Sequence, residues 1–122
     1  MGKKILIVDD EPYNLKILNM FLSSLSFEIF EAVSGKEALR IVQSHTPDLI
    51  LIDVMMPGIS GIELCQMLSN RPGFTAPIIF LSARVQQEDI QIGLKAGAVE
   101  YLTKPIDLDL LHKTINFYLK KI

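Results

Sequence analysis

The sequence has one cysteine, Cys65, so no internal disulfide can form. A fold without such cross-links suits a reducing compartment. Burial as a small hydrophobe accounts for Cys65 better than a reactive thiol does. Positive charge is not in excess either. The formal net charge is -2, which offers no field to hold a nucleic-acid backbone. Lysines pair at Lys3-Lys4 and Lys120-Lys121, where a solubilising role is sufficient. No apolar run approaches the roughly 18 residues of a membrane span. No separate apolar segment ahead of the first strand pattern marks a secretion signal. Met1-Gly2 opens like an acylation site, but Leu6 stands where that site wants Ser or Thr. Repeats and low-complexity tracts are missing as well. The expectation is a soluble, cytoplasmic protein that touches neither membrane nor nucleic acid.

What is present is a globular composition, 49% hydrophobic and 21% charged over 122 residues. That supports one domain, 1-122, with a proper core. Continuous apolar runs alternate with amphipathic stretches. Ile5-Leu6-Ile7-Val8, Leu49-Ile50-Leu51-Ile52 and Pro77-Ile78-Ile79-Phe80-Leu81 read as strands buried on both faces. Phe27 to Ala32 alternates like a strand nearer an edge, and Val99 to Thr103 is a short fifth strand. Between them lie five helical patterns. The first carries Pro12 in its opening turn and Leu15, Leu18, Leu22 and Leu25 on one face. Ser34-Gly35-Lys36-Glu37 and Ser60-Gly61-Ile62-Glu63 predict capping boxes for the second and third. The second has Ala38, Ile41 and Val42 inward and is closed off by Pro47. The third has Ile62, Leu64, Cys65 and Leu68. A weaker helix runs from Gln86 to Ala96, with Gly97 as its cap. Asp107 caps the last, whose face is Leu108, Leu111, Ile115, Leu119 and Ile122. Five such units give a doubly wound α/β fold with a parallel sheet and helices on both faces. Periodicity leaves the strand order open.

Ligands bind at the carboxyl ends of strands in such sheets. The residues there are Asp9 and Asp10 after strand 1, Asp53 after strand 3, Ser82 after strand 4 and Lys104 after strand 5. Each alone has a plain reading. Asp10 before Pro12 is a helix cap, Ser82 a turn residue and Lys104 a solvated charge. Together they converge on one mouth. The three carboxylates suit a hard cation such as Mg²⁺, and without it their repulsion should raise at least one pKa. Ser82 and Lys104 suit an incoming phosphoryl group. An aspartate can itself be the nucleophile, forming an aspartyl phosphate.

The motifs Ile7-Val8-Asp9-Asp10-Glu11-Pro12, Leu51-Ile52-Asp53-Val54-Met55-Met56-Pro57-Gly58, Leu81-Ser82-Ala83 and Tyr101-Leu102-Thr103-Lys104-Pro105 resemble the receiver domain of two-component response regulators, of the chemotaxis-regulator kind. The likeness covers about Lys3 to Leu119. It implies the flavodoxin-like strand order 2-1-3-4-5. It implies that Asp53 is the phosphoacceptor, charged by a histidine kinase or phosphotransfer protein. Asp10, Asp53 and the backbone carbonyl of Met55 would hold Mg²⁺, with Asp9 acting through a water. Ser82 and Lys104 would bind phosphoryl oxygens, and the Lys104-Pro105 peptide would be cis. Ser82 and Tyr101 would form the switch, although a tyrosine on a short strand is also ordinary half-buried packing. The output face would be the fourth helix, fifth strand and fifth helix, addressing an effector domain or partner. Val99 stands where an acid is common in the family, which weakens any expectation of the charged dimer contacts of DNA-binding members. Met55 and Arg84, each two residues beyond a site residue, occupy places that tune phosphate lifetime, and slow self-dephosphorylation is expected.

Such a protein is a phosphorylation-dependent signalling switch and no enzyme beyond self-phosphorylation and self-dephosphorylation at Asp53. A haloacid-dehalogenase-like phosphohydrolase would want an Asp at position 55, where Met55 stands. No P-loop or G-x-G-x-x-G supports nucleotide binding. The remaining alternative is a receiver-shaped interaction module that works without phosphate.

Overall fold

The computed structural model describes residues 2–120. Met1, Lys121 and the expected Ile122 end of the last apolar face lie outside the described residues. In chain order the elements are β1 (Lys4–Val8), α1 (Pro12–Ser24), β2 (Glu28–Ala32), α2 (Gly35–Ser44), β3 (Leu49–Asp53), α3 (Gly61–Ser69), β4 (Ile78–Ser82), α4 (Gln87–Lys95), β5 (Glu100–Thr103) and α5 (Leu108–Leu119). All strand pairs are parallel. The order is β2-β1-β3-β4-β5, as the resemblance implies.

Side chains alternate across each strand, and the core divides accordingly. Leu6, Val8, Ile50, Ile52, Ile78 and Phe80 pack with Ala38, Leu64, Cys65, Leu68 and Ala96 on the α2–α3–α4 side. Ile5, Ile7, Leu49, Leu51, Ile79 and Leu81 pack with Leu15, Leu18, Leu22, Leu111 and Ile115 on the α1–α5 side. β3 and β4 are buried along their whole length. Two covered faces explain why both strands are apolar without alternation. β2 and β5 are the edges, and their residues are largely half-buried.

Several ends differ from expectation. Ser82 is the last residue of β4 rather than the first beyond it. α4 is one residue shorter at each end, and Ala96 is its C-cap, with Gly97 following at a φ of 122°. The α3 capping box is complete. In α2 only half of it forms. Ser34 Oγ accepts from the Glu37 N–H, but the Glu37 carboxylate turns one residue further back, to the Val33 N–H at 2.9 Å. At α1 the N-cap is Glu11, whose side chain accepts from the Tyr13 N–H, so Asp10 does not cap the helix.

Candidate functional site

Register and alternation assemble the mouth of the sheet. Val8 pairs with Ile52, so the next residues, Asp9 and Asp53, stand side by side. Asp53 in turn pairs with Leu81, and alternation carries both aspartates to the α1–α5 side. Ser82 pairs with Thr103, and its side chain leaves β4 on the α4 side, in step with Phe80. Lys104 follows, its N–H donating to the Ser82 carbonyl at 2.7 Å. The Lys104-Pro105 peptide is cis.

The acidic set is tight. Carboxylate oxygens of Asp9, Asp10 and Asp53 lie within 4.8 Å of one another. Asp9 and Asp53 are buried, whereas Asp10 is exposed. Asp9 is fixed from two directions, by the Glu11 N–H at 2.9 Å and by Asn14 Nδ2 of α1 at 3.3 Å. Asp53 Oδ1 accepts from the Met55 N–H at 3.1 Å. Lys104 Nζ donates to Asp53 Oδ2 at 3.4 Å and stands 3.6 Å from Asp9 Oδ2. Three carboxylates against this one ammonium leave an excess of two negative charges, the count that a divalent cation neutralises. Oxygen donors alone, some of them exposed to water, suit Mg²⁺.

Burial pushes the Asp53 carboxyl above its ordinary value. The Met55 N–H and the Lys104 charge oppose the rise, and the negative Asp9 adds to it. Carboxylate repulsion was the expected cause; desolvation by the apolar strand is the larger one.

Ser82 is fully buried, and its Oγ accepts from the Arg84 N–H at 3.0 Å. The Tyr101 hydroxyl donates to the Arg84 carbonyl at 2.9 Å. Its ring meets Phe80 edge-on, with centroids 6.1 Å apart. Met55 is half-exposed, and its Sδ accepts from Arg84 Nε at 3.2 Å. The Arg84 guanidinium faces Asp89 of α4, with Nη1 3.7 Å from Oδ1.

The family model for the response regulator receiver domain matches residues 5–116. The chain belongs to this family. The receiver is similar to the response regulator GtcR of Aneurinibacillus migulanus, 39% identical over 107 residues, which are 88% of this chain and 43% of GtcR. It spans about half or less of several other curated relatives. PilH of Pseudomonas aeruginosa is 34% identical over 93% of this chain and 94% of its own. The receiver domain of the sensor histidine kinase PA1611 from the same species has a magnesium ion coordinated in its active-site cleft. It superposes with a TM-score of 0.90 at 28% identity, covering 98% of this chain and 99% of that one. Receivers act in two-component signalling as phosphorylation-dependent switches, mostly without enzymatic activity of their own. They work with histidine kinases or phosphotransfer proteins and with effector domains. Among the described residues, no helix is long and apolar enough to cross a membrane.

Asn14 and Asp89 escaped the sequence reading. Asn14 falls in the first turn of α1, beside the acidic cluster, a position that a helical wheel of that turn could have singled out. Asp89 lies in the first turn of α4, where an acid serves the helix dipole, and nothing local indicates that it faces Arg84.

Proposed function

We propose that the chain from 1 to 122 is a receiver that accepts a phosphoryl group on Asp53 from the phosphohistidine of a histidine kinase or phosphotransfer protein. A carboxylate oxygen of Asp53 attacks phosphorus, the N–P bond breaks, and the imidazole leaves with the bonding pair. Asp10, Asp53 and the Met55 carbonyl would hold Mg²⁺, with Asp9 acting through a water. The ion would supply neutralisation of charge on the transferring oxygens. Lys104 contributes a fixed positive charge at Asp53 and Asp9, and Ser82 a hydroxyl. Hydrolysis of the acyl phosphate by water returns Asp53 and releases inorganic phosphate. The observation that carries this reading is one buried aspartate, Asp53, held between an ammonium at 3.4 Å and two further carboxylates.

Phosphorylation adds about two negative charges. A conformational shift follows only from binding them better in one arrangement than in another. Moving a population from 1:99 to 99:1 takes about 5.5 kcal/mol, more than one Ser82 contact supplies, so the partner completes the switch. Ser82 and Tyr101 are its moving parts, and α4, β5 and α5 form its output face. Exposed Ile92, Leu94, Val99 and Leu110 support that choice of face. The working compartment is the cytoplasm.

The test is migration in a phosphate-affinity gel after treatment with acetyl phosphate and Mg²⁺. The wild type shifts and Asp53→Asn does not. Failure of the wild type to shift, with kinase as well as with acetyl phosphate, overturns the proposal in favour of a module that works without phosphate.

A further inference from the structure

One residue of the mouth is tied to four others. The Arg84 N–H donates to Ser82 Oγ, its carbonyl accepts from Tyr101, its Nε donates to Met55 Sδ, and its Nη1 faces Asp89. The backbone ties are good hydrogen bonds, at 3.0 and 2.9 Å. The side-chain ties are poor. A thioether is a weak acceptor. The contact to Asp89 is a single prong at 3.7 Å from a guanidinium that is 53% exposed, and such pairs contribute little. Most of the five N–H donors of this cation therefore have no good acceptor among the described residues. The side chain lies along an open groove of about 320 Å³ between the β3–α3 loop and α4, so it has room to move.

The helix at the other end of this tie is weakly held. α4 buries one of its residues, Gly93, where α3 buries Gly61, Leu64, Cys65 and Leu68. Its N-cap, Gln86, makes no side-chain capping bond, whereas Ser34, Ser60 and Asp107 each cap their helices. Asp89 stands in the uncapped first turn. Helices of this kind open at low free energy.

We propose that Arg84 changes partner when the site becomes charged: its guanidinium leaves Asp89 and Met55 for the phosphoryl group, and α4 loses its tie to the mouth. The inference rests on phosphorylation of Asp53. A phosphoryl group presents about two charges and three acceptor oxygens, and a guanidinium matches them in bidentate fashion. Asp89 presents one charge at long range and loses the competition. Asp89 is thus a positioning residue that acts through Arg84. It keeps the cation beside the site while the site is empty of phosphate, and it carries the news to α4 when the cation departs. This route runs beside the one through Ser82 and Tyr101.

The test uses the full chain, acetyl phosphate and Mg²⁺. Two quantities are read: the half-life of the phosphorylated form on a phosphate-affinity gel, and amide exchange across Gln87–Lys95. In the wild type, phosphorylation speeds exchange in α4. Asp89→Asn speeds it before phosphorylation and lengthens the half-life by about two- to fivefold, the range that an exposed ion pair supports. Arg84→Gln shortens the half-life, and Arg84→Lys restores part of it. In the Arg84→Gln background, Asp89→Asn leaves the half-life unchanged, because the two act as one unit. A normal gel shift with an Asp89→Asn effect that is nil, or that persists without Arg84, overturns this inference alone. A wild type that takes no phosphate overturns it together with the function proposed above.

Discussion

Gly93→Ala tests how closely Tyr101 is seated against α4. A Cβ built on Gly93 lies 2.9 Å from Tyr101 Cδ2, 3.2 Å from Tyr101 Cε2 and 3.0 Å from Phe80 Cδ2. Carbons at ease stand about 3.5–4.0 Å apart, so the rings or the helix must shift. Phe80 has no room to retreat, being fully buried, and Tyr101 is anchored at its hydroxyl by the Arg84 carbonyl. Overpacking of this sort costs about 1–3 kcal/mol. Replacing a helical glycine by alanine returns about 1 kcal/mol. The net expectation is a destabilisation of up to about 2 kcal/mol, the difference of those two effects. Urea unfolding followed by circular dichroism measures it, provided that the slope is unchanged. The decisive comparison is the same substitution in a Tyr101→Ala background. There two of the three short contacts vanish and the contact with Phe80 remains, so Gly93→Ala should cost less than it does in the wild type. The two substitutions should couple by more than about 0.5 kcal/mol, the usual limit of additivity. Additive effects, or a Gly93→Ala protein that is itself more stable than wild type, would refute the close seating of Tyr101 on α4.

The raised Asp53 pKa makes its own prediction. The folded protein binds the Asp53 proton more tightly than the unfolded chain does, so ionisation of Asp53 costs stability. That cost is absent below the unfolded carboxyl value of about 3.9 and grows as pH rises through the higher folded value. With a chelator present, Asp53→Asn should therefore gain stability relative to wild type as the pH is raised across that window, measured as the difference in urea midpoints. A gap that stays constant or moves the other way refutes burial as the leading cause. Gly61→Ala should also be costly. Its Cβ would fall on the Asp53 carbonyl oxygen and 2.7 Å from Val54 Cα, both rigid backbone. A loss above about 2 kcal/mol, with slower labelling by acetyl phosphate, is expected, and an unchanged midpoint would show that α3 can back away freely.

The architecture was legible because the central strands are apolar on both faces and each is followed by a polar residue at the end where such sheets bind ligands. Asp9, Asp53, Ser82 and Lys104 could thus be gathered from residues far apart in sequence, and the register brings them together. Local choices among near-equal acids were less legible. Glu11 rather than Asp10 caps α1, and Glu37 reaches Val33 rather than Ser34. In each case two acceptors or donors one residue apart compete, and tertiary placement picks the winner. The pairing of Arg84 with Asp89, and the ring seated against Gly93, are contacts between elements that carry no periodic signal. The cause of the Asp53 shift escaped for a similar reason. A sequence displays like charges side by side but not the depth at which they sit.

The alternation of β3 and β4 has one more consequence. Asp53 leaves the sheet toward α1 and α5, and Ser82 leaves it toward α4. The sheet thus stands between the proposed phosphoacceptor and α4, while α5 shares the side of Asp53. Substitutions on the α1 side can alter which molecule reaches the aspartate while leaving the surface of α4 as it was. Those on α4 can alter who listens without changing who speaks. Two specificities can then diverge independently within one small domain.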